Sequence, residues 1–180
     1  MTPSPKETSE SAEPQDAVAS VLHQWQLVHP DLDLGPIAVV GRLNRCAALF
    51  QRMTDAPLGQ AGLSRPEFDL LTALRRLGGE LTPSRLARET FASPAAVTKR
   101  VRGLEERGLV DRRVDERDRR VAHLSLTAAG SDLLDRLFPQ QLSYERTLLS
   151  RLPDTEQAEL ARILGQLLLL LEGQLGGLEY

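Results

Sequence analysis

Cysteine is nearly missing from this chain of 180 residues, which contains only Cys46. A single thiol excludes an internal disulfide framework and a zinc site built from cysteines. Scarce cysteine also fits a reducing compartment, so we expect a cytoplasmic protein. Aromatic residues make up only 4% of the chain. The core is therefore expected to consist of leucine, valine and alanine, as in packed helices.

Long apolar segments are missing as well. The longest run of leucines, Leu167–Leu171, is far shorter than the roughly 18 residues that span a membrane. The N-terminus has no basic stretch followed by an apolar core, so no signal peptide is predicted. We therefore expect no membrane partner.

Motifs for catalysis or metal binding are equally scarce. The three histidines, His23, His29 and His123, have no metal-binding spacing. The sequence contains neither a glycine-rich phosphate loop nor a nucleophile elbow. These absences predict that the chain is not an enzyme and needs no cofactor or metal.

Two short helices with clear start signals occupy the middle of the chain. Thr82 and Ser93 are hydroxyl N-cap candidates, each followed by proline, which is favoured at the first helical position. They predict helices over Pro83–Glu89 and Pro94–Arg107, and Gly108 is placed to end the second. Two helices joined by so short a connection indicate a helix-turn-helix.

A β-hairpin is predicted directly after these helices. Its strands are Leu109–Val114 and Val121–Leu126, joined by the charged tip Asp115–Arg120, and the second strand alternates apolar and polar residues. A helix-turn-helix followed by such a hairpin is typical of a winged helix. We expect a mainly α fold with a small β-hairpin wing: a winged helix-turn-helix domain plus a helical dimerisation region.

Basic charge is concentrated in this middle segment. Between Arg85 and Arg120, eleven basic and seven acidic side chains give a net charge of +4, whereas the whole chain carries −3. Phosphate binding requires local positive charge rather than a basic total. Together with the helix-turn-helix and the wing, this charge predicts binding to double-stranded DNA.

The predicted DNA contacts lie at the starts of the two helices, along the second helix and in the wing tip. Small side chains at a helix start allow close approach to base edges, and basic ones reach guanine or phosphate. An arginine of the tip is expected to enter the minor groove. The candidates are Thr82, Ser84, Ala95, Ala96, Thr98, Lys99, Arg102, Arg117, Asp118, Arg119 and Arg120.

The remaining sequence predicts helices on both sides of this domain. The segment Pro57–Leu63 is expected to break the second of the N-terminal helices, and Pro139 is expected to interrupt or kink the helix that follows the wing. The expected parts are a disordered tail at 1–15, N-terminal helices for dimerisation and a ligand pocket at 16–63, the winged helix-turn-helix domain at 64–127, and C-terminal dimerisation helices at 128–180.

The last helix is apolar on most faces and must be covered. The N-terminal helices are its expected cover, within a homodimer whose two recognition helices would meet half-sites roughly 34–36 Å apart. The alternative is that this helix packs inside a single chain.

The segment with the sequence ASPAAVTKRVRGLEERGLVDRRVDERDRRVAHLSLTAAG resembles the recognition helix and wing of the MarR family. Its most specific marks are the D-x-x-D-x-R motif that begins at Asp115 and the LTxxG motif that ends at Gly130. The resemblance covers about Ala17 to Leu171. It implies a homodimer that binds a palindromic operator, usually as a repressor, and that small ligands or oxidants release.

A narrower resemblance concerns the signal. Trp25, Asp69, Arg100 and Arg112 fall where the urate-responsive branch of this family holds its ligand residues. The resemblance implies a small anionic ligand, urate or a related purine, that draws Arg100 inward and shifts the recognition helix. Chemically, a guanidinium binds such an anion bidentately. The same arginines would also suit a tricarboxylate such as citrate or aconitate.

Oxidation of Cys46 is a further alternative signal. A reactive thiol requires nearby positive charge and some exposure. Arg42 and Arg45 are close in sequence, but the residues that follow the cysteine are apolar. We therefore expect a buried, unreactive thiol.

The charge distribution leads to a first prediction. DNA affinity should fall steeply as salt is raised, because binding depends on a few arginines carried by an otherwise acidic protein. The measurement is operator affinity across a series of salt concentrations. An affinity that does not change with salt would contradict phosphate contacts by these residues.

Overall fold

The structure is a computed structural model that describes residues 15–118 and 121–175. The described residues form seven helices and one antiparallel hairpin, which confirms the predicted mainly α fold with a small wing. In chain order the elements are α1 Ala17–Val28, α2 Gly35–Gln60, α3 Arg65–Leu77, α4 Pro83–Glu89, α5 Pro94–Glu106, β1 Val110–Val114, β2 Ala122–Leu126, α6 Ala128–Leu149 and α7 Asp154–Leu175. Nearly all of the predicted tail lies outside the described residues.

The chain divides into two compact units, with the boundary between Met53 and Thr54. In the first unit, Asp16 caps α1 by accepting hydrogen bonds from the amides of Val18 and Ala19, and its second carboxylate oxygen pairs with Arg42 at 2.8 Å. Val18 is the only buried side chain among residues 15–53. The first unit thus has almost no core of its own.

The second unit is built around an aliphatic core, as the composition predicts. Helices α3, α4 and α5, the hairpin and α6 all contribute to it. Its fully buried members include Leu71, Leu86, Val97, Leu104 and Leu124. The same burial positions α5, because the side chains on its inner face cannot leave the core without exposing apolar surface to water.

Start signals in the sequence correspond to observed helix starts in this unit. The carboxylate of Glu67 accepts hydrogen bonds from the amide and hydroxyl of Ser64, which precedes α3. The hydroxyl oxygens of Thr82 and Ser93 accept from the third residue beyond them and cap α4 and α5. Gly108 has φ +67°, the left-handed conformation predicted after α5.

The hairpin is tied to the helix-turn-helix by backbone hydrogen bonds. Strands β1 and β2 pair in a register that places Arg112 opposite Leu124. Leu124 also pairs with Leu81 on its other side, through N–O hydrogen bonds of 2.9 and 2.8 Å. Leu81 directly precedes the cap of α4, so the wing and α4 share one fixed attachment.

The structure bears out the predicted break at 57–63, because α2 ends at Gln60, and it contradicts an interruption of α6 at Pro139. Helix α2 continues through Pro57 to Gln60, and this extension buries Leu58 completely. Helix α6 runs without interruption through Pro139. In each case proline removes one backbone hydrogen bond, and in α2 the burial of apolar surface next to the proline offsets part of that cost.

Helix α7 carries apolar side chains that nothing in the described residues covers. Leu169 is 71% exposed, and Leu160, Ile163, Leu164, Leu168, Leu170 and Leu171 are also exposed. None of the described helices combines the length and hydropathy needed to cross a membrane.

Gly130 lies at a close approach between α6 and the backbone just before β1. A Cβ atom at this position would collide with the backbone carbonyl of Leu109 and press on the side chain of Leu126. Backbone cannot move aside as a flexible side chain can. The glycine of the LTxxG motif is therefore required for packing and not for an unusual φ.

We predict that Gly130→Ala destabilises the protein by about 1–3 kcal/mol, because the methyl group forces α6 away from β1. Gly103→Ala on α5 is the matched control, since its Cβ would meet only the end of the Glu67 side chain at 4.0 Å. That control should be neutral or stabilise the helix by up to about 1 kcal/mol. Chemical denaturation of both variants measures the difference, and equal stabilities would contradict the close approach.

Candidate nucleic-acid interface

The recognition helix α5 has a buried face and a solvent face. Val97, Val101 and Leu104 are buried in the core. The predicted contacts on the opposite side are all exposed: Ala95, Thr98, Lys99 and Arg102. Ala96 differs from them, because it is half buried and faces a cavity. The core therefore presents one surface of α5 to a partner.

Cations on this surface are weakly held or unpaired. Lys99 has no ion pair within the described part of the chain, and Arg102 pairs with Glu106 of the same helix at 3.0 Å. An exposed pair of this spacing contributes only about 0.3–0.5 kcal/mol. Arg102 can therefore exchange Glu106 for a phosphate at little cost.

Helix α4 directly precedes α5 in the sequence and packs against it. Thr82 uses its hydroxyl oxygen to accept from the amide of Arg85 at 3.3 Å, so its first role is to cap the helix. Ser84 is exposed in the first turn. Free amides of a first helical turn are suitable donors to phosphate.

The wing tip is organised by an aspartate. One carboxylate oxygen of Asp115 accepts hydrogen bonds from the amide of Arg117 at 2.7 Å and from the amide of Asp118 at 2.9 Å. The carbonyl of Asp118 in turn accepts from the amide of Val121. The side chain of Arg117 is exposed. Arg119 and Arg120, the other predicted contacts of the tip, lie outside the described residues.

An ionic network that the sequence does not reveal holds the root of the wing. Nε2 of His123 lies 2.9 Å from the second carboxylate oxygen of Asp115. Arg113 donates two hydrogen bonds to Glu80, through Nη2 at 2.6 Å and Nε at 3.1 Å. Glu80 is 33 residues distant in sequence, so no local pattern links it to the wing. The hairpin register, which pairs Arg113 with His123, is the only signal for their proximity.

The contacts of Asp115 lower the pKa of its carboxyl group. The amide of Asp118 contributes most, followed by His123 and the amide of Arg117, and together they lower the pKa of Asp115 to about 2. Asp115 is therefore a carboxylate at any physiological pH. Asp115 is thus the acidic residue whose hydrogen bonds form the turn at the tip of the wing.

A cavity of about 270 Å³ lies beside α5. Its walls come from α3, from the turn between α4 and α5, and from α5 itself. Among its lining residues are Pro66, Asp69, Phe91, Ala92, Ala96 and Arg100. The structure thus brings together two of the four predicted ligand residues, Asp69 and Arg100, in one cavity next to the recognition helix.

Asp69 is linked to α6 by an ionic network. It accepts from Nε of Arg65 at 2.9 Å, and Arg65 reaches Glu145 at 3.2 Å. Burial lowers the pKa of Arg65, but the two carboxylates outweigh this effect and raise it. Glu145 also accepts from Gln141, whose side chain is 2% exposed. The spacing of Arg65 and Asp69 signals the first pair, whereas Glu145 is 80 residues away and gives no signal.

Arg100 differs from the neighbouring arginines. It is half buried, and within residues 15–118 and 121–175 it has neither an ion pair nor a hydrogen bond. A half-buried guanidinium without an acidic partner is a binding group for an anion. Arg100 is on the same helix as Lys99 and Arg102, so an anion bound here would act directly on α5.

The other two predicted ligand residues lie elsewhere. Arg112 is exposed on β1 and does not line this cavity. Trp25 belongs to the first unit, where it stacks on His29 with ring centroids 5.7 Å apart. No group of three or more potential ligands for a metal ion occurs in the part of the chain that the structure describes.

The expected burial of Cys46 is wrong. The cysteine is exposed, because α2 is covered over little of its length within the first unit. Arg42, one of the two sequence candidates for activating it, is engaged by Asp16. The thiol is thus accessible, but one of its two neighbouring cations is already paired.

The geometry of the tip predicts an unusually acidic carboxyl group. A pKa that is lower in the folded protein stabilises the fold above the unfolded value of about 3.9, and that contribution is lost as the pH falls toward 2. We expect the Asp115 carboxyl to titrate at about pH 2 in a carbon-13 NMR experiment. At pH 5, the amides of Arg117 and Asp118 should be protected from hydrogen exchange and should lose protection in Asp115→Ala. An ordinary midpoint or unprotected amides in the wild-type chain would disprove this account of the tip.

Comparison with known proteins is consistent with this geometry. A model of the MarR family matches residues 61–121. The chain is 33% identical over 151 residues to the HTH-type transcriptional regulator PecS of Dickeya dadantii, and the match covers 83% of this chain and 91% of PecS.

Two solved structures share the fold. Sco3205 of Streptomyces coelicolor, a MarR family regulator in complex with DNA, has a TM-score of 0.70 at 24% identity and covers 79% of this chain and 93% of its own. BpsR of Bordetella bronchiseptica, whose DNA binding is regulated by 6-hydroxynicotinic acid, has a TM-score of 0.65 at 22% identity, with coverages of 72% and 91%.

These relatives are transcriptional regulators, which confirms the prediction that the chain is not an enzyme. The similarity to PecS extends over most of both proteins, well beyond the recognition helix and wing. On this evidence the chain belongs to the MarR family of winged-helix transcriptional regulators.

Proposed function

We propose that this protein is a cytoplasmic, homodimeric repressor that binds a palindromic operator and is released by a small planar anion, with urate or a related purine as the preferred ligand. The observation that carries this proposal is the position of Arg100. Among residues 15–118 and 121–175 it has no ion-pair partner, and it lines a cavity on the recognition helix that also bears Lys99 and Arg102. A ligand held by Arg100 would shift the helix that reads DNA.

The exposed face of α5 supports the DNA half of the proposal. Its small and basic side chains are free to enter a major groove, and α4 presents its first turn nearby. The fold is shared with Sco3205, which was solved in complex with DNA. We assign the phosphate and base contacts to the set predicted from the sequence, including the two arginines of the tip that lie outside the described residues.

The uncovered apolar side chains of α7 support a homodimer. A soluble monomer rarely exposes a contiguous apolar helix. The first unit adds further exposed apolar side chains, among them Val21, Trp25 and Val28 of α1. A second copy of the chain would bury both sets and present two recognition helices to the two halves of a palindrome.

The composition of the cavity supports a planar anion of low charge. Arg100 offers a bidentate guanidinium, and Asp69 offers an acceptor to a ring N–H. Asp69 would also repel a trianion such as citrate. BpsR, which shares the fold, responds to 6-hydroxynicotinic acid, a small planar acid. Trp25 and Arg112 remain proposed ligand residues on the strength of the sequence resemblance alone.

Oxidation of Cys46 is the second candidate signal, and the exposure of its thiol is the observation that favours it. Release of DNA by peroxide that is abolished in Cys46→Ser would support this signal. Release that persists in the variant would eliminate it.

The decisive experiment is titration of a preformed complex with DNA from upstream of the gene, using urate, xanthine, hypoxanthine, citrate and aconitate. We expect a purine to release the wild-type protein, and Arg100→Ala to stay bound because the anion has lost its guanidinium. Arg136→Ala on α6 is the matched control, since it removes an exposed arginine away from the cavity. It should respond like wild type.

Other outcomes would change the conclusion. Release by tricarboxylates alone would keep Arg100 and discard the purine. Release that persists in Arg100→Ala would contradict the proposed site. Loss of DNA binding by Arg100→Ala without ligand would assign this arginine to the DNA contacts.

A further inference from the structure

Phe91, in the turn between α4 and α5, has an unfavourable backbone conformation and an exposed apolar side chain. Its side chain is 87% exposed, and its φ of +51° is the only positive value for a non-glycine residue in the described part of the chain. A bulky residue in the left-handed region is a genuine outlier, whereas glycine adopts it without strain. Turns of helix-turn-helix motifs often contain glycine for this reason.

The turn leaves the backbone little choice of conformation. The amide of Ala92 donates to the carbonyl of Ala87 at 3.0 Å, which closes the chain at the end of α4. Ser93 then caps α5. Phe91 must therefore adopt the left-handed conformation, although it gains no burial in return. Outliers of this kind that persist in a fold are concentrated at binding sites.

The turn that contains Phe91 forms one side of the cavity beside α5. Phe91 lines this cavity together with Asp69 and Arg100. The three side chains offer an aromatic face, a hydrogen-bond acceptor and a bidentate cation. This combination matches a flat heteroaromatic anion, which has a π face, ring N–H donors and negatively charged oxygen atoms.

We propose that Phe91 stacks on the ring of a planar anionic ligand in this cavity and thereby selects flat rings over flexible polycarboxylates. This inference rests on the proposed function, because it requires the cavity to be the ligand site. Stacking gives a flat ring an attraction that a tricarboxylate cannot obtain, since the tricarboxylate has no π face. The ligand would also cover the exposed phenyl ring.

The test is calorimetric binding of urate and of citrate to the full-length protein and to three variants. Phe91→Gly removes the ring and relieves the strained φ, Phe91→Leu keeps an apolar side chain without a ring, and Phe91→Tyr keeps the ring. We expect urate affinity to fall about fivefold to tenfold in the glycine and leucine variants and to be retained in the tyrosine variant. Binding of citrate should not distinguish the variants from wild type.

Two controls separate stacking from damage to the fold. Phe91→Gly should melt at or above the wild-type temperature, because glycine relieves the backbone strain. Its affinity for DNA without ligand should equal that of wild type. A loss of DNA affinity in both the glycine and leucine variants would overturn the proposal and make Phe91 a DNA contact.

Failure of this inference and failure of the proposed function give different results. If urate binds Phe91→Gly as tightly as wild type but does not bind Arg100→Ala, the cavity is the site and Phe91 is not its aromatic wall. If wild type binds no planar anion at all, both proposals fall together. Equal weakening of urate and citrate in Phe91→Gly would show that the residue shapes the cavity without selecting a ring.

Discussion

The backbone pairing of Leu81 with Leu124 is the constraint on which the DNA-binding unit depends. Its two hydrogen bonds connect Leu81, which precedes the cap of α4, to the centre of β2, and both leucines are buried. From Leu81 the chain continues through α4 and a tight turn into α5. Leu124 belongs to β2, which is one of the two strands of the wing. The recognition helix and the wing are therefore fixed to each other by backbone, and a groove-reading surface needs such a fixed geometry.

The charged residues of this unit fall into a structural group and a group available for binding. Asp115 shapes the tip, Glu80 and Arg113 secure the root of the wing, and Glu67 caps α3. Lys99 and Arg100 have no ion-pair partner in the part of the chain that the structure describes, and we propose that they are available for a ligand or for DNA. An excess of acid in the whole chain is thus compatible with anion binding, because many of the carboxylates near the interface are engaged in structure.

Local signals in the sequence were sufficient for the fold and insufficient for the site. Ser64, Thr82 and Ser93 marked helix starts, since a cap involves only residues within three positions. The exposure of Cys46 and the continuation of α2 past Pro57 depend on what covers a helix or what it buries, which spacing does not show. Glu145 reaches Arg65 across 80 residues, so its link to Asp69 could emerge only from the folded chain.

The contact of Gly130 with the backbone of Leu109 has a consequence for protein engineering. The two ends of the segment between α5 and α6 meet through main-chain atoms at Leu109 and Gly130, so the fit of these ends does not depend on which side chains the wing tip carries. Wings from other family members can therefore be exchanged into this chain as a cassette whose joints lie at Leu109 and Gly130. A segment from a family member without glycine at the position of Gly130 would not fit, because its Cβ atom would collide with the carbonyl of Leu109.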